Sequence, residues 1–318
     1  MARRLGAVLA ALLMLLGAAT AAAEPVPPGS LYLALGDSVA AGHGLGDPTD
    51  QPDAALCTRS QHAYPALLAR SPYFANPLGA GGSLACSGAV SAHLFGASQV
   101  VVGPSGPVGL APQLAVVRAL DLAPATVTVT VGANDVRYNA VVAACLKELG
   151  SGPGGPCARQ APTVALSLEN LDENLIELFG DIQALPGNQR IFATGYYDPI
   201  PEDLTDLGDA LACGLFGISV RDAQYDGDYA YIQTYLGLLN GTIARAAASS
   251  GATYVDITHV FDGHRFCSDV PWAVPPSAAT VADGSAFHPT ALGQEAIAQA
   301  LIRAAGGTTP MITGAEAP

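Results

Sequence analysis

The chain has 318 residues, half of them hydrophobic and 13% charged, with 27 acidic against 13 basic side chains for a net charge of −14. That excess of acid argues against a nucleic acid or an anionic membrane as partner. The length allows one large domain or two small ones with a well-buried core, and a single domain is the expectation.

Met1 to Ala23 carries Arg3 and Arg4, an apolar run from Leu5 to Ala19, and small residues ending in Ala21-Ala22-Ala23. This order predicts a secretory signal peptide over 1–23, cleaved after Ala21 or Ala23, and hence a secreted, extracellular protein. An uncleaved anchor is the competing reading, disfavoured by the Ala-x-Ala sites. No later segment is long and apolar enough to span a bilayer, so no stable membrane span is expected. The mature domain is expected over 24–306, with a disordered tail over 307–318.

Leu31 to Leu35 reads as a buried strand running into Gly36-Asp37-Ser38 and a helix. A hydroxyl at that junction sits beside unpaired backbone N–H groups and the positive end of the helix dipole, the surroundings of an attacking alkoxide. The competing reading is that Asp37 and Ser38 only cap the helix. His43 follows closely and is the fallback partner for Ser38.

Six cysteines in an exported chain imply a disulfide framework whose pairing the sequence leaves open. Spacing favours Cys145–Cys157 around the Gly/Pro-rich stretch Gly150 to Pro156; Cys57–Cys86 and Cys213–Cys267 would then staple longer loops. No Cys-x-x-Cys pair supports a metal site.

A helix is expected over His62 to Ala69, a short strand within the Gly-rich Asn76 to Ala85, and another helix start after Cys86-Ser87-Gly88-Ala89. Gly88 could bring a free N–H close to a ligand, or be a plain turn glycine. Ser87, in a degenerate Ala-x-Ser-x-Ala setting, ranks below Ser38 as a nucleophile. Val101 to Ala111 reads as a Gly/Pro loop. Pro112 to Leu122 reads as a helix with Leu114, Val117 and Leu120 toward the core.

The β-branched run Ala125 to Val131 is the clearest strand and leads into Gly132-Ala133-Asn134-Asp135. Asn134 at a strand end is placed to cap a helix or to donate to an oxyanion. An amphipathic helix over Thr163 to Leu185, a strand over Arg190 to Gly195, a helix over Tyr225 to Ser249 and a strand over Ala252 to Asp256 follow. This alternation predicts an α/β, three-layer α/β/α sandwich around a parallel sheet.

His288 lies on a loop just before a helix over Thr290 to Ala304, able to turn toward the strand ends. His62 and His93 read as structural or exposed. His259 and His264, with Asp256 and Asp262 nearby, have spacing that fits no helical metal-ligand pair.

Gly36-Asp37-Ser38, Gly88, Gly132-Ala133-Asn134-Asp135 and His288-Pro289 together resemble the four ordered blocks of the SGNH hydrolase superfamily, the GDSL esterases and lipases. The Cys-Ser-Gly-Ala stretch, Pro112-Gln113-Leu114 and the six cysteines resemble its secreted bacterial members. The resemblance implies a flavodoxin-like fold, Ser38 as nucleophile, His288 as general acid and base, and an oxyanion hole from the N–H groups of Ser38 and Gly88 with the Asn134 side chain. Asp37 would steady the turn.

The family's Asp three residues before the catalytic His is here Ser285. A backbone carbonyl of Ser285 or a nearby residue is therefore the expected orienter of His288, with Asp283 as competitor. The implied reaction is two-step ester hydrolysis by a monomer, with no metal or organic cofactor, on a lipid or simple ester. The uncharged stretch around Leu94 to Leu110 leans toward acyl chains. A carbohydrate acetyl esterase and a non-catalytic exported binding protein are the alternatives.

Overall fold

The computed structural model describes residues 27, 30–51, 53–74, 82–147, 161–200 and 223–307. The leader over 1–23, most of the glycine-rich stretch before Ser83, Cys157, Cys213 and residues 308–318 lie outside them. Gly307, expected in the tail, donates its N–H to Ile302 at 2.8 Å.

Four parallel strands form the central sheet in the order β1 (Tyr32–Gly36), β4 (Thr126–Thr130), β5 (Arg190–Thr194), β6 (Thr253–Val255). Every residue of β1 and β4 is buried, as for strands covered on both faces. β4 alternates Thr with Val, and the buried hydroxyls of Thr128 and Thr130 find partners, while that of Thr126 has none among the described residues. Tyr32 meets Thr128 at 2.8 Å, and Tyr64 meets Thr130 at 2.7 Å. Thr130 in turn meets Thr194 at 2.6 Å.

On the free side of β1, Ala34 bridges Ser83 in parallel, and the N–H of Cys86 reaches Gly36 O at 3.0 Å. The short strand expected before Cys86 is this pairing. It delivers Ser87 and Gly88 to the carboxyl end of β1.

Helices cover the sheet. α7 (Ala161–Gln183) packs on α8 (Ala223–Ser249), and α10 (Ala291–Ala304) packs on α3 (Tyr64–Leu68). Leu171, Leu178 and Phe179 of α7 and Leu236, Leu239 and Ile243 of α8 are buried. Each fully buried side chain of this size contributes about 2 kcal/mol from desolvation. The arrangement is the expected three-layer α/β/α sandwich.

Gly36 ends β1 at φ 147°, and a Cβ there would lie 2.2 Å from the Thr130 carbonyl oxygen. Only glycine fits that crossing. Gln113, the first residue of α5 (Gln113–Ala119), accepts from Gly36 N–H at 2.9 Å and donates to its carbonyl at 2.8 Å. The amide mimics a strand partner at the strand's end.

Three expectations need correction. Val101 to Ala111 is not a loop. β2 (Gln99–Gly103) pairs antiparallel with β3 (Gly106–Leu110) around Pro104-Ser105. Its Gly and Pro content hid a hairpin whose outer face, with Val100 and Val102, is exposed and so needs no bulky packing residues. The helix after Pro112 stops at Ala119. Asp121 then takes a left-handed φ of 50°, and Leu120 is 62% exposed instead of facing the core. No helix starts at Asn134 either. A turn runs through it, and α6 (Tyr138–Lys147) begins later. No helix among the described residues is long and apolar enough to cross a membrane.

Candidate active site

Ser38 opens the short helix α1 (Ser38–Ala41), capped by Asp37, whose carboxylate accepts from Val39 N–H at 3.0 Å. The cap and the left-handed Gly42 confine α1 to a single turn. Ser38 is thereby held at the mouth of the sheet. Its Oγ lies 2.7 Å from His288 Nε2 across 250 positions of sequence.

His288 is aimed by its neighbours. Phe287 adopts φ 66°, a conformation disfavoured for a bulky residue and held here by contacts on both sides. Its N–H donates to Val274 O at 2.9 Å, and its carbonyl accepts from Tyr197 Oη at 2.9 Å. Val274 N–H in turn donates to His288 O at 2.8 Å. Thr290 then caps α10 by accepting from Gly293 N–H.

The imidazole Nδ1–H donates to the carbonyl of Ala286 at 3.3 Å, which leaves Nε2 as an acceptor facing the Ser38 hydroxyl. The Asp283 carboxylate does not reach the ring. It accepts from Ser285 N–H at 2.9 Å and Ser285 Oγ at 2.6 Å, while Ser285 O receives the His288 N–H at 3.1 Å. Burial, reinforced by the neighbouring His43, pushes the His288 pKa down to about 4. The ring is neutral, so its Nε2 can accept a proton.

Gly88 sits at φ 77° on an exposed turn. Among the described residues, its N–H and that of Ser38 carry no hydrogen bond. Asn134 donates one amide N–H to Ala89 O at 2.9 Å, which ties it to the Gly88 turn and leaves its second N–H uncommitted. Asn134 is steadied by its neighbour Asp135, whose half-buried carboxylate accepts from Ser91 N–H and Oγ.

Ser38, Asn134 and His288 line one open cleft of about 430 Å³, walled by Tyr138, Tyr197, Pro199 and Phe287. Gly88 is not among its lining residues. Its turn borders the site through Ala89 and through Ser87, whose hydroxyl meets His43.

The disulfide Cys57–Cys86 is formed, and Ser87 N–H donates to Cys57 O at 3.2 Å. Cys267 is disulfide-bonded, but Cys213 and Cys157 lie outside the described residues. His62 meets Asp47 at 2.9 Å on the surface, His93 accepts from Val90 N–H, and His264 stacks on Trp272. His259 pairs with exposed Asp262. Among the described residues no three His, Cys, Asp or Glu side chains cluster as metal ligands.

Sequence reasoning missed Tyr196. Its hydroxyl donates to Asp37 at 2.6 Å and accepts from Ala133 N–H at 3.1 Å, so one phenol joins the serine turn to the asparagine turn. Asn240 of α8 holds its backbone, accepting from Tyr196 N–H at 2.7 Å and donating to Tyr196 O at 2.8 Å. The one signal for Asn240 was an amide on an otherwise apolar helix face.

Residues 34–296 match the model of the GDSL-like lipase/acylhydrolase family. A lipase of Streptomyces rimosus is 28% identical over 283 residues, 89% of each chain, and lipase 2 of Streptomyces coelicolor is 32% identical over 293 residues, 88% of each. The crystal structure of an extracellular lipase from Streptomyces rimosus superposes with a TM-score of 0.63 at 22% identity, covering 87% of this chain and all of that one. That of a phospholipase A1 from Streptomyces albidoflavus has a TM-score of 0.63 at 25% identity, covering 86% and 99%.

Proposed function

The chain belongs to the GDSL-like lipase/acylhydrolase family of carboxylic-ester hydrolases, and we propose that it is a secreted lipid esterase working through an acyl-enzyme on Ser38. The observation that carries this reading is the 2.7 Å contact between Ser38 Oγ and a buried, neutral His288. In the first step His288 Nε2 takes the Ser38 proton as Oγ attacks the ester carbonyl. The oxyanion receives hydrogen bonds from Ser38 N–H, Gly88 N–H and the second amide hydrogen of Asn134. His288 then protonates the departing alcohol. In the second step it deprotonates water, which attacks the acyl-enzyme and releases the acid.

Among the described residues no carboxylate hydrogen-bonds the ring, so the carbonyl of Ala286 orients it and Ser38–His288 works as a dyad. The apolar walls of the cleft favour an acyl chain over a sugar. The names of the relatives, lipases and a phospholipase A1, support the same substrate class. Secretion rests on the leader over 1–23 and on the extracellular relative from Streptomyces rimosus. The mature chain is then one hydrolase domain over 24–306, acting as a monomer because a single chain supplies every group, and stapled further by Cys145–Cys157 and Cys213–Cys267.

Hydrolysis of nitrophenyl esters of increasing acyl length by the oxidised protein and by Ser38→Ala tests the reading. The expected result is a preference for medium or long chains and a loss of about 10⁴-fold or more in the variant. Equal rates in both proteins remove Ser38 as nucleophile. An optimum at acetate moves the substrate class toward acetylated carbohydrates.

A further inference from the structure

His43 lies outside the catalytic pair, yet it is where the turns that build the site meet. It follows the left-handed Gly42 that ends α1, and its N–H donates to Ser38 O at 3.0 Å. Its half-buried ring lies 5.0 Å from that of His288, tilted by 47°. Nε2–H donates to the carbonyl of Asp283 at 3.0 Å. Nδ1 lies 3.2 Å from Thr58 Oγ1 and 3.1 Å from Ser87 Oγ, and these two hydroxyls also bond to each other.

The donors and acceptors around the ring can all be matched. Nε2–H serves the carbonyl, one hydroxyl donates to the other, and the second donates to Nδ1. Each bond reaches a different part of the machinery. Asp283 holds Ser285, and the Ser285 carbonyl receives the His288 N–H. Ser87 immediately precedes Gly88. Thr58 follows Cys57, which is bridged to Cys86.

The packing leaves little slack. A Cβ on Gly44 would meet that of Ser285 at 2.8 Å, and one on Gly284 would lie 3.4 Å from His43 Nε2. The His43-Gly44 turn and the turn from Asp283 to Ser285 are pressed together.

We propose that His43 is a positioning residue that locks the loop of the general base to the Gly88 turn, fixing both relative to Ser38. This rests on the reading of Ser38 and His288 as nucleophile and base. The sequence offered His43 as the fallback base and Ser87 as the fallback nucleophile. The geometry joins those two to each other beside the site. His43 cannot serve as base for Ser38 in this arrangement, since both its ring nitrogens are engaged elsewhere.

The test uses His43→Phe, which keeps a ring but loses both sets of bonds, and His43→Gln, whose amide N–H can still serve the Asp283 carbonyl. His43→Ala repeats the comparison should the Phe variant not fold. The readouts are kcat and KM on a short soluble nitrophenyl ester and the rate of Ser38 labelling by a fluorophosphonate, with the melting temperature as a check on folding.

His43→Phe is expected to lower kcat and the labelling rate by about tenfold to a hundredfold with little change in KM, the signature of misplaced catalytic groups. His43→Gln is expected to recover most of that loss. A kcat for folded His43→Phe at the native level, or a Gln variant no better than Phe, overturns the proposal. Absence of labelling at Ser38 in the native protein overturns the nucleophile reading and the proposal with it.

Discussion

The phenol of Tyr196 donates to the carboxylate of Asp37 at 2.6 Å inside a fully buried site. The same oxygen accepts from Ala133 N–H, so the residue before Ser38 and the residue before Asn134 share one partner. Replacing Tyr196 by Phe leaves a carboxylate oxygen and a backbone N–H buried with no donor and no acceptor. The expected cost is about 1–3 kcal/mol in urea unfolding. It should come with a fall in kcat larger than any rise in KM, because the two turns that hold Ser38 and Asn134, the proposed nucleophile and oxyanion donor, are no longer tied. An unchanged unfolding midpoint would mean that water replaces the phenol.

The Asp37–Tyr196 contact also marks where sequence reasoning stopped. Ser38, Asn134 and His288 were legible because each follows a strand or precedes a helix whose residue pattern is local. Tyr196 and Asn240 come from segments far apart in the chain, and no spacing rule joins them to Asp37. The β2–β3 hairpin was illegible for a different reason. One of its faces is exposed, so its strands tolerate the Gly and Pro that signal a loop. Leu120 was misread because the periodicity of α5 continues past the point where Asp121 turns the chain away.

Stability should depend on pH through two buried groups of opposite sign. Burial, only partly offset by the Tyr196 bond, raises Asp37 from 3.8 to about 7, so the folded state holds a proton that the unfolded state releases. Its contribution is full below the unfolded value and is lost as pH rises through about 7. His288 falls from 6.5 to about 4, so its contribution is full above 6.5 and is lost as pH falls through about 4. Between these limits the slopes oppose, each as large as about 1.4 kcal/mol per pH unit. In that window the contributions of these two groups therefore largely cancel each other. Asp37→Asn should gain stability relative to the native protein across that range as pH rises, and His288→Gln should lose it. Parallel curves for all three proteins would contradict the assignment.

The rate should carry the same histidine. A base must be neutral to take the serine proton, and burial together with the neighbouring His43 holds His288 at about 4. The acid limb of kcat/KM, which reports the free enzyme, is therefore expected near that value and well below an ordinary histidine. An acid limb at the usual histidine pKa would mean that the ring is more open to solvent than its 7% exposure allows.

The Cys57–Cys86 bridge closes a loop with a sequence separation of 29 and sits directly before Ser87 and Gly88. By loop closure alone it stabilises the fold by about 3–4 kcal/mol. Its placement adds a second effect. Cys86 N–H is bonded to Gly36 O and Ser87 N–H to Cys57 O, so the bridge holds the Gly88 turn against the end of β1. The paired substitution Cys57→Ala with Cys86→Ala should therefore lower the unfolding midpoint and also reduce kcat at temperatures where the protein stays folded. A variant of lower stability with native kcat would confine the disulfide to stability. Loss of both would show that the turn carrying the Gly88 N–H needs the bridge to keep its place, as expected where hydrogen-bond donors must be fixed before the reaction begins.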